Sequence, residues 1–211
     1  HLLILAQGDG KIPPNPYYEQ FDSGQIEYMW VPTSSENSTI NVINNEGVIY
    51  DPTSGGLSYL TFNYNLSGDF KIRVETDLSG VTPQPYNNRH FFRLTISQNG
   101  NSYSVYHGTD NSGIALTSWT SDTSNSVTWN NVVTGAGNTA AMEITRVGTT
   151  LTGRYDNNIT GSWNTHGTAT IANTDITNVL IGTSYNQNPP LNNLTFKFDN
   201  IYVEADEFKY K

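Results

Sequence analysis

The chain has 211 residues, a net charge of −9 and a sequence pI of about 4.7. A balance this acidic, with no Lys/Arg run, argues against a general nucleic-acid binder, because phosphate contacts need clustered cations. The absence of cysteine rules out disulfides and thiolate metal sites, and no stretch reaches the roughly 20 apolar residues of a membrane helix, so no membrane insertion is expected.

Residues 1–16 begin with HLLILA and end in GDGKIPPNP, a Gly/Pro density that reads as a linker or irregular lead-in. Residues 17–205 then form one expected domain, and 206–211 a C-terminal tail. Within that domain short alternating runs are separated by turn residues. Strands are predicted near 17–21, 26–31, 39–43, 47–50, 57–64, 69–77, 89–97, 102–107, 114–119, 140–147, 150–156, 168–171, 177–185 and 194–204. This spacing predicts an all-β sandwich or barrel. No window carries a helical period with caps, and the high Thr, Asn and Gly content opposes one.

Four segments are specific enough to fix local geometry. In DFKIRVETD, Phe70, Ile72, Val74 and Thr76 share one face and Lys71, Arg73, Glu75 and Asp77 the other. In HFFRLTISQNGNSYSVYHG, Asn99-Gly100 predicts a type I′ hairpin turn, which needs positive φ at both positions. The register follows: Ile96 opposite Tyr103, Leu94 opposite Val105, Phe92 opposite His107, and on the other face Arg93 opposite Tyr106 and Thr95 opposite Ser104. A second hairpin, MEITRVGTTLTGRYDNN, turns at Gly148-Thr149. In FKFDNIYVE, Phe196, Phe198 and Ile201 can share a face only if Asp199-Asn200 forms a bulge.

Three stretches, taken in order, resemble the concanavalin A-like lectin/glucanase superfamily, which includes laminin G-like modules. They are EQFDSG followed by Trp30, MEITRVGTTLTGRYDNNITGSW, and LTFKFDNIYVE. The resemblance implies a jelly-roll sandwich of two antiparallel sheets, with the chain ends side by side and carbohydrate on a curved face. It also implies a structural calcium ion held near the first and last strands, for which Glu19, Asp22 and Asp199 fit. Ca²⁺ takes six to eight oxygen ligands, and without the ion the pair Asp199-Asn200 is a bulge alone.

The carbohydrate candidates are Arg73, Glu75, Arg93 and Tyr106 on exposed strand positions, with Tyr86, Trp119, Trp129 and Tyr185 as rim aromatics. Aromatic faces pack on sugar rings, and planar polar side chains bond hydroxyls. Against this stand a solvated ion-pair face for the first group and core packing for the tryptophans. Trp163 is expected to pack structurally in a turn. Glycoside hydrolysis needs two carboxyl groups flanking the bond, and Glu75 with Asp77 is the nearest pair, without the family's third acid. A lyase needs a cation or amide for the uronate and a Tyr or His to move protons; SYNQ at Ser184 to Gln187 only echoes such a motif. His1, His90, His107 and His166 lack metal-ligand spacing.

The reading is therefore a non-catalytic, lectin-like carbohydrate-binding module of a secreted or cell-surface, bacterial protein. Its expected partners are a polysaccharide or glycan and flanking domains of a larger chain. The alternatives are a jelly-roll polysaccharide lyase or glycoside hydrolase, and a structural or adhesion spacer.

Overall fold

The computed structural model describes residues 13–34, 38–51, 57–81, 89–109, 115–123, 126–186 and 194–211. In chain order the strands are β1 (Tyr17–Glu19), β2 (Trp30–Ser34), β3 (Thr39–Ile43), β4 (Glu46–Asp51), β5 (Ser58–Phe62), β6 (Tyr64–Asp77), β7 (Arg89–Gln98) and β8 (Asn101–Thr109). They continue as β9 (Ala115–Thr123), β10 (Ser126–Thr134), β11 (Thr139–Val147), β12 (Thr150–Asn157), β13 (Trp163–Thr170), β14 (Asn178–Asn186) and β15 (Leu194–Tyr210). No helix occurs among the described residues.

These strands form two antiparallel sheets, a β-sandwich. The eight-stranded sheet runs β13-β12-β11-β6-β15-β4-β3, with β1 added beside β15; the seven-stranded sheet runs β10-β9-β8-β7-β14-β5-β2. The alternation read in β6 sets its orientation. Phe70, Ile72, Val74 and Thr76 are buried, whereas Lys71, Arg73, Glu75 and Asp77 are only half-buried on the outer face. From the other sheet, β7 contributes Phe92, Leu94 and Ile96 to the same core. The two layers meet where Phe92 packs on Phe198, with ring centroids 5.1 Å apart. Each fully buried side chain of this size contributes about 1.5–3 kcal/mol.

The hairpin read at Asn99-Gly100 forms with the expected register, and both residues have positive φ, 51° and 79°. The bulge at Asp199-Asn200 also forms. Asp199 pairs with Glu75 and Tyr202 with Arg73, so β15 carries one extra residue there, and Asn200 sits at φ 50°. Phe196, Phe198, Ile201 and Val203 consequently all face the core. A second irregularity pairs Ala205 with Phe70 but Glu207 with Ser67, which places the extra residue on β6, where Gly68 adopts φ 71°.

Three readings need correction. Residues 206–210 are not a tail: β15 continues through them, with Phe208 opposite Leu66 and buried. The strand expected at 26–31 lies instead at Trp30–Ser34, and β10 was not foreseen. Chain ends do lie together, since Tyr17–Glu19 pairs with Ile201–Val203. The described part of the lead-in docks on the same strand: the Asn15 side-chain amide donates to the Ala205 carbonyl.

Candidate functional site

The polar residues read as one exposed group fall on opposite sides of the sandwich. Arg73 and Glu75 lie on β6, on the outer face of the eight-stranded sheet. Arg93 and Tyr106 lie on β7 and β8, on the outer face of the seven-stranded sheet. Alternation within a strand says which side chains leave the core, but not which sheet the strand joins, and so not which outer surface they reach.

On the seven-stranded sheet the register draws a row across the strands: Tyr59 on β5, Gly182 on β14, Arg93, Tyr106, and Ser118 on β9. A parallel row holds Thr95, Ser104 and Thr120. Although these side chains point away from the core, Thr95, Ser104, Ser118 and Thr120 are buried. This polar layer is therefore shielded from solvent, and Tyr106, read as an exposed position, is buried with it. Thr95 and Ser104 hydroxyls bond each other at 2.8 Å, and Phe91 stands edge-on to Tyr106 at 5.3 Å, forming a small apolar pair apart from the main core. Arg93 Nε and Ser118 Oγ are buried without a hydrogen-bond partner, and Arg93 has no ion pair among the described residues. A guanidinium fork beside the one unpartnered hydroxyl, that of Ser118, can bond vicinal oxygens of a ligand.

On the eight-stranded sheet Arg73 and Arg154 both stack on Trp163, with guanidinium carbons 5.1 and 5.6 Å from its ring. Arg154 is paired with the buried Glu143, and Arg73 with Glu75 at 2.5 Å. Glu75 also accepts from the Asn200 amide at 2.8 Å, which ties this face to the bulge. Trp163, expected to be a turn-packing residue, is half-buried on this open face. The strand starts there rather than at 168, and the WNTHGTAT run would have placed Trp163 and Thr165 on one face.

Trp119 leaves the carbohydrate set. It is fully buried, stacked on Tyr103 at 6.2 Å. Tyr86 lies outside the described residues. Trp129 and Tyr185 are placed by backbone register alone, opposite Thr120 and His90. The hydrolase-like pair is engaged elsewhere: Glu75 by Arg73 and Asn200, and Asp77 by the backbone and hydroxyl of Ser79.

Glu19, Asp22 and Asp199 do not make a ready calcium shell. The buried Glu19 carboxylate already accepts from the Tyr17 hydroxyl (2.8 Å), the Phe21 amide (2.9 Å) and the Glu27 amide (3.4 Å). Burial pushes its pKa up despite these bonds. Asp199 is likewise raised, chiefly by burial and then by Glu75, Glu46 and Asp22, and its Oδ1 has no partner. Among the described residues no three acidic or histidine side chains group as a metal site. Backbone carbonyls would have to supply most of the six to eight oxygens that the ion takes. EDTA is expected to leave the thermal midpoint unchanged; a fall reversed by added Ca²⁺ would restore the calcium reading.

No family model matches the sequence, and no curated protein does. Solved structures do. The CBM2 module of the evolved Dit of Lactobacillus casei BL23 phage J-1 superposes with TM-score 0.61 at 13% identity, covering 92% of this chain and 97% of that one. The fold is a jelly-roll sandwich. An alginate lyase from Klebsiella pneumoniae shares it at TM-score 0.57 and 12% identity, covering 81% of this chain and 85% of its own. So does a xylan β-1,4-xylosidase from Bacillus halodurans C-125, at TM-score 0.65 and 9% identity, covering 96% of this chain and 41% of the xylosidase. At these identities the likeness is one of fold.

Proposed function

We propose that the chain is a non-catalytic carbohydrate-binding module of the concanavalin A-like type, taking a glycan on the outer face of its seven-stranded sheet. One observation carries the reading: Arg93 Nε and Ser118 Oγ stand in the same cross-strand row, buried and without partners, beside Tyr106. An unmet buried donor costs about 1–3 kcal/mol, and a ligand oxygen offsets that cost. The neighbours named as a CBM2 module, a xylosidase and an alginate lyase support a carbohydrate role. The xylosidase, of which the fold covers 41%, supports a place within a larger chain. A secreted or cell-surface bacterial setting belongs to the same proposal.

Calorimetric titration against a panel of neutral and uronate glycans tests it. Arg93→Ala is expected to weaken the best ligand by about 10- to 100-fold, the equivalent of a lost charge-assisted hydrogen bond. Equal affinity for Arg93→Ala and the parent, or no glycan bound at all, overturns the reading.

A further inference from the structure

We propose that the outer face of the eight-stranded sheet is a second, separate glycan surface, one that takes an uncharged polysaccharide lying across the strands. It shares only the class of ligand with the reading above.

The strand registers line up Thr165, Arg154, Glu143, Arg73, Tyr202 and Tyr18 on successive strands from β13 to β1. Five steps at the usual inter-strand spacing of about 4.8 Å make this row about 24 Å long. Aromatic rings stand at both ends. Trp163 lies two residues along β13 from Thr165. Tyr202 and Tyr18 meet edge-to-face at 4.9 Å, and Tyr18 is 59% exposed. A narrow row of this length, with rings at its ends, suits an extended chain better than a single small molecule.

The charges choose the kind of chain. Both cations on the row hold a carboxylate, Arg154 with Glu143 and Arg73 with Glu75, and beside the row Lys71 holds Glu204 at 3.8 Å. An anionic polymer would have to displace these partners, against a protein of net charge −9. An uncharged polyhydroxyl chain need not. Donors remain for it, because Nε of both Arg73 and Arg154 is buried without a partner. Beside the row lies an open depression of about 610 Å³ that includes Thr145, Thr152, Thr165, Asn15 and Asp206. That volume falls in the ordinary range for ligand sites, about 300–1,000 Å³, and its hydroxyl and amide groups stand among three cations, Lys71, Arg146 and Arg154, balanced by three acids, Asp69, Glu204 and Asp206.

The test is calorimetric titration of the full chain with cello-, xylo- and laminari-hexaose and with an alginate hexasaccharide. At least one neutral hexaose is expected to bind at two sites per chain. Thr165→Arg, at an exposed position, and Trp163→Ala should each remove one site or weaken it at least tenfold. Arg93→Ala should spare that same site. The alginate oligomer should not compete there. If Arg93→Ala alone abolishes all neutral binding, the second surface is wrong while the first stands. If the Thr165→Arg and Trp163→Ala variants abolish all binding, the first reading is wrong and the second stands. Unchanged binding in both sheet variants, or no neutral hexaose bound by the parent, overturns the second surface.

Discussion

Trp119→Ala is expected to lower the unfolding free energy by about 3–5 kcal/mol, the usual cost of removing a buried aromatic ring. Such a loss is a large part of the roughly 5–15 kcal/mol that holds a domain together. The reason lies in how its site is built. The indole sits on β9 in the seven-stranded sheet and is fully buried, and glycines on two strands of the facing sheet make room for it. A Cβ at Gly153 would come 2.2 Å from Trp119 Cε3, and one at Gly167 would come 2.6 Å from Cδ1. The ring therefore rests directly on the backbone of β12 and β13. Gly153→Ala forces this contact from the other side and should cost about 1–3 kcal/mol by overpacking. Denaturant unfolding of both variants gives the answer. A Gly153→Ala protein within about 0.5 kcal/mol of the parent, the range of harmless surface changes, would mean that the ring has room to move.

The second large effect is one of pH. His107 is buried in the core and its pKa is lowered to about 4, first by burial. The ring is therefore neutral near pH 7. Its Nε2–H donates to the Gly137 carbonyl at 3.0 Å, which leaves Nδ1 as an acceptor 2.7 Å from the Thr76 hydroxyl, whose one proton is shared with the Ala140 carbonyl at 3.0 Å. His90 is also buried, and burial lowers it to about 4. In the unfolded chain both return to about 6.5. The unfolded state then binds more protons, so stability rises with pH. The contribution is complete above about pH 6.5 and is lost as the pH falls toward 4, by about 3 kcal/mol for each histidine. Glu19 and Asp199 act in the opposite sense, since their raised pKa values let the folded state take up protons first. They soften the loss at the acid end. Guanidinium unfolding between pH 7.5 and 4 should show the decline, and His107→Gln, which keeps a donor and an acceptor, should remove about half of it, the His90 share remaining. An equally steep decline in the variant would assign the effect elsewhere.

Much of this architecture is legible in the sequence wherever one strand and its turn suffice to determine it. Asn99-Gly100 fixes the β7–β8 register because positive φ at both residues leaves one pairing. Asp199-Asn200 reveals a bulge because Phe198 and Ile201 cannot otherwise share a face. The alternation of β6 separates its buried from its outer side chains. What escapes is decided by partners distant in sequence. Arg73 and Arg93 look alike within their strands, yet β6 joins β15 while β7 joins β14, and their side chains leave by opposite surfaces. Trp119 has the look of a loop aromatic because its nearest sequence neighbours, Ser118 and Thr120, are polar; the glycines that receive it lie on β12 and β13. Trp163 suffers the reverse error, because a Gly-Ser-Trp sequence suggests a turn where the strand has already begun. Of the carbohydrate candidates, Arg93 and Tyr106 are brought side by side, and Ser118, which completes their row, carries no signal in sequence at all.

The position of β15 has a consequence for how the molecule comes into being. This strand lies between β6 and β4, and β1 attaches only to it. The last strand in chain order is thus the keystone of the larger sheet, and everything synthesised before it leaves an open seam beside β6. Closure joins segments far apart in sequence, as between Tyr17 and Val203. Contacts of such long range slow folding, since the entropy of closing the loop is lost before the contact forms. Folding of this sandwich is therefore a late event, which waits for the chain through β15 and leaves the nascent polypeptide unpaired along a long edge until then.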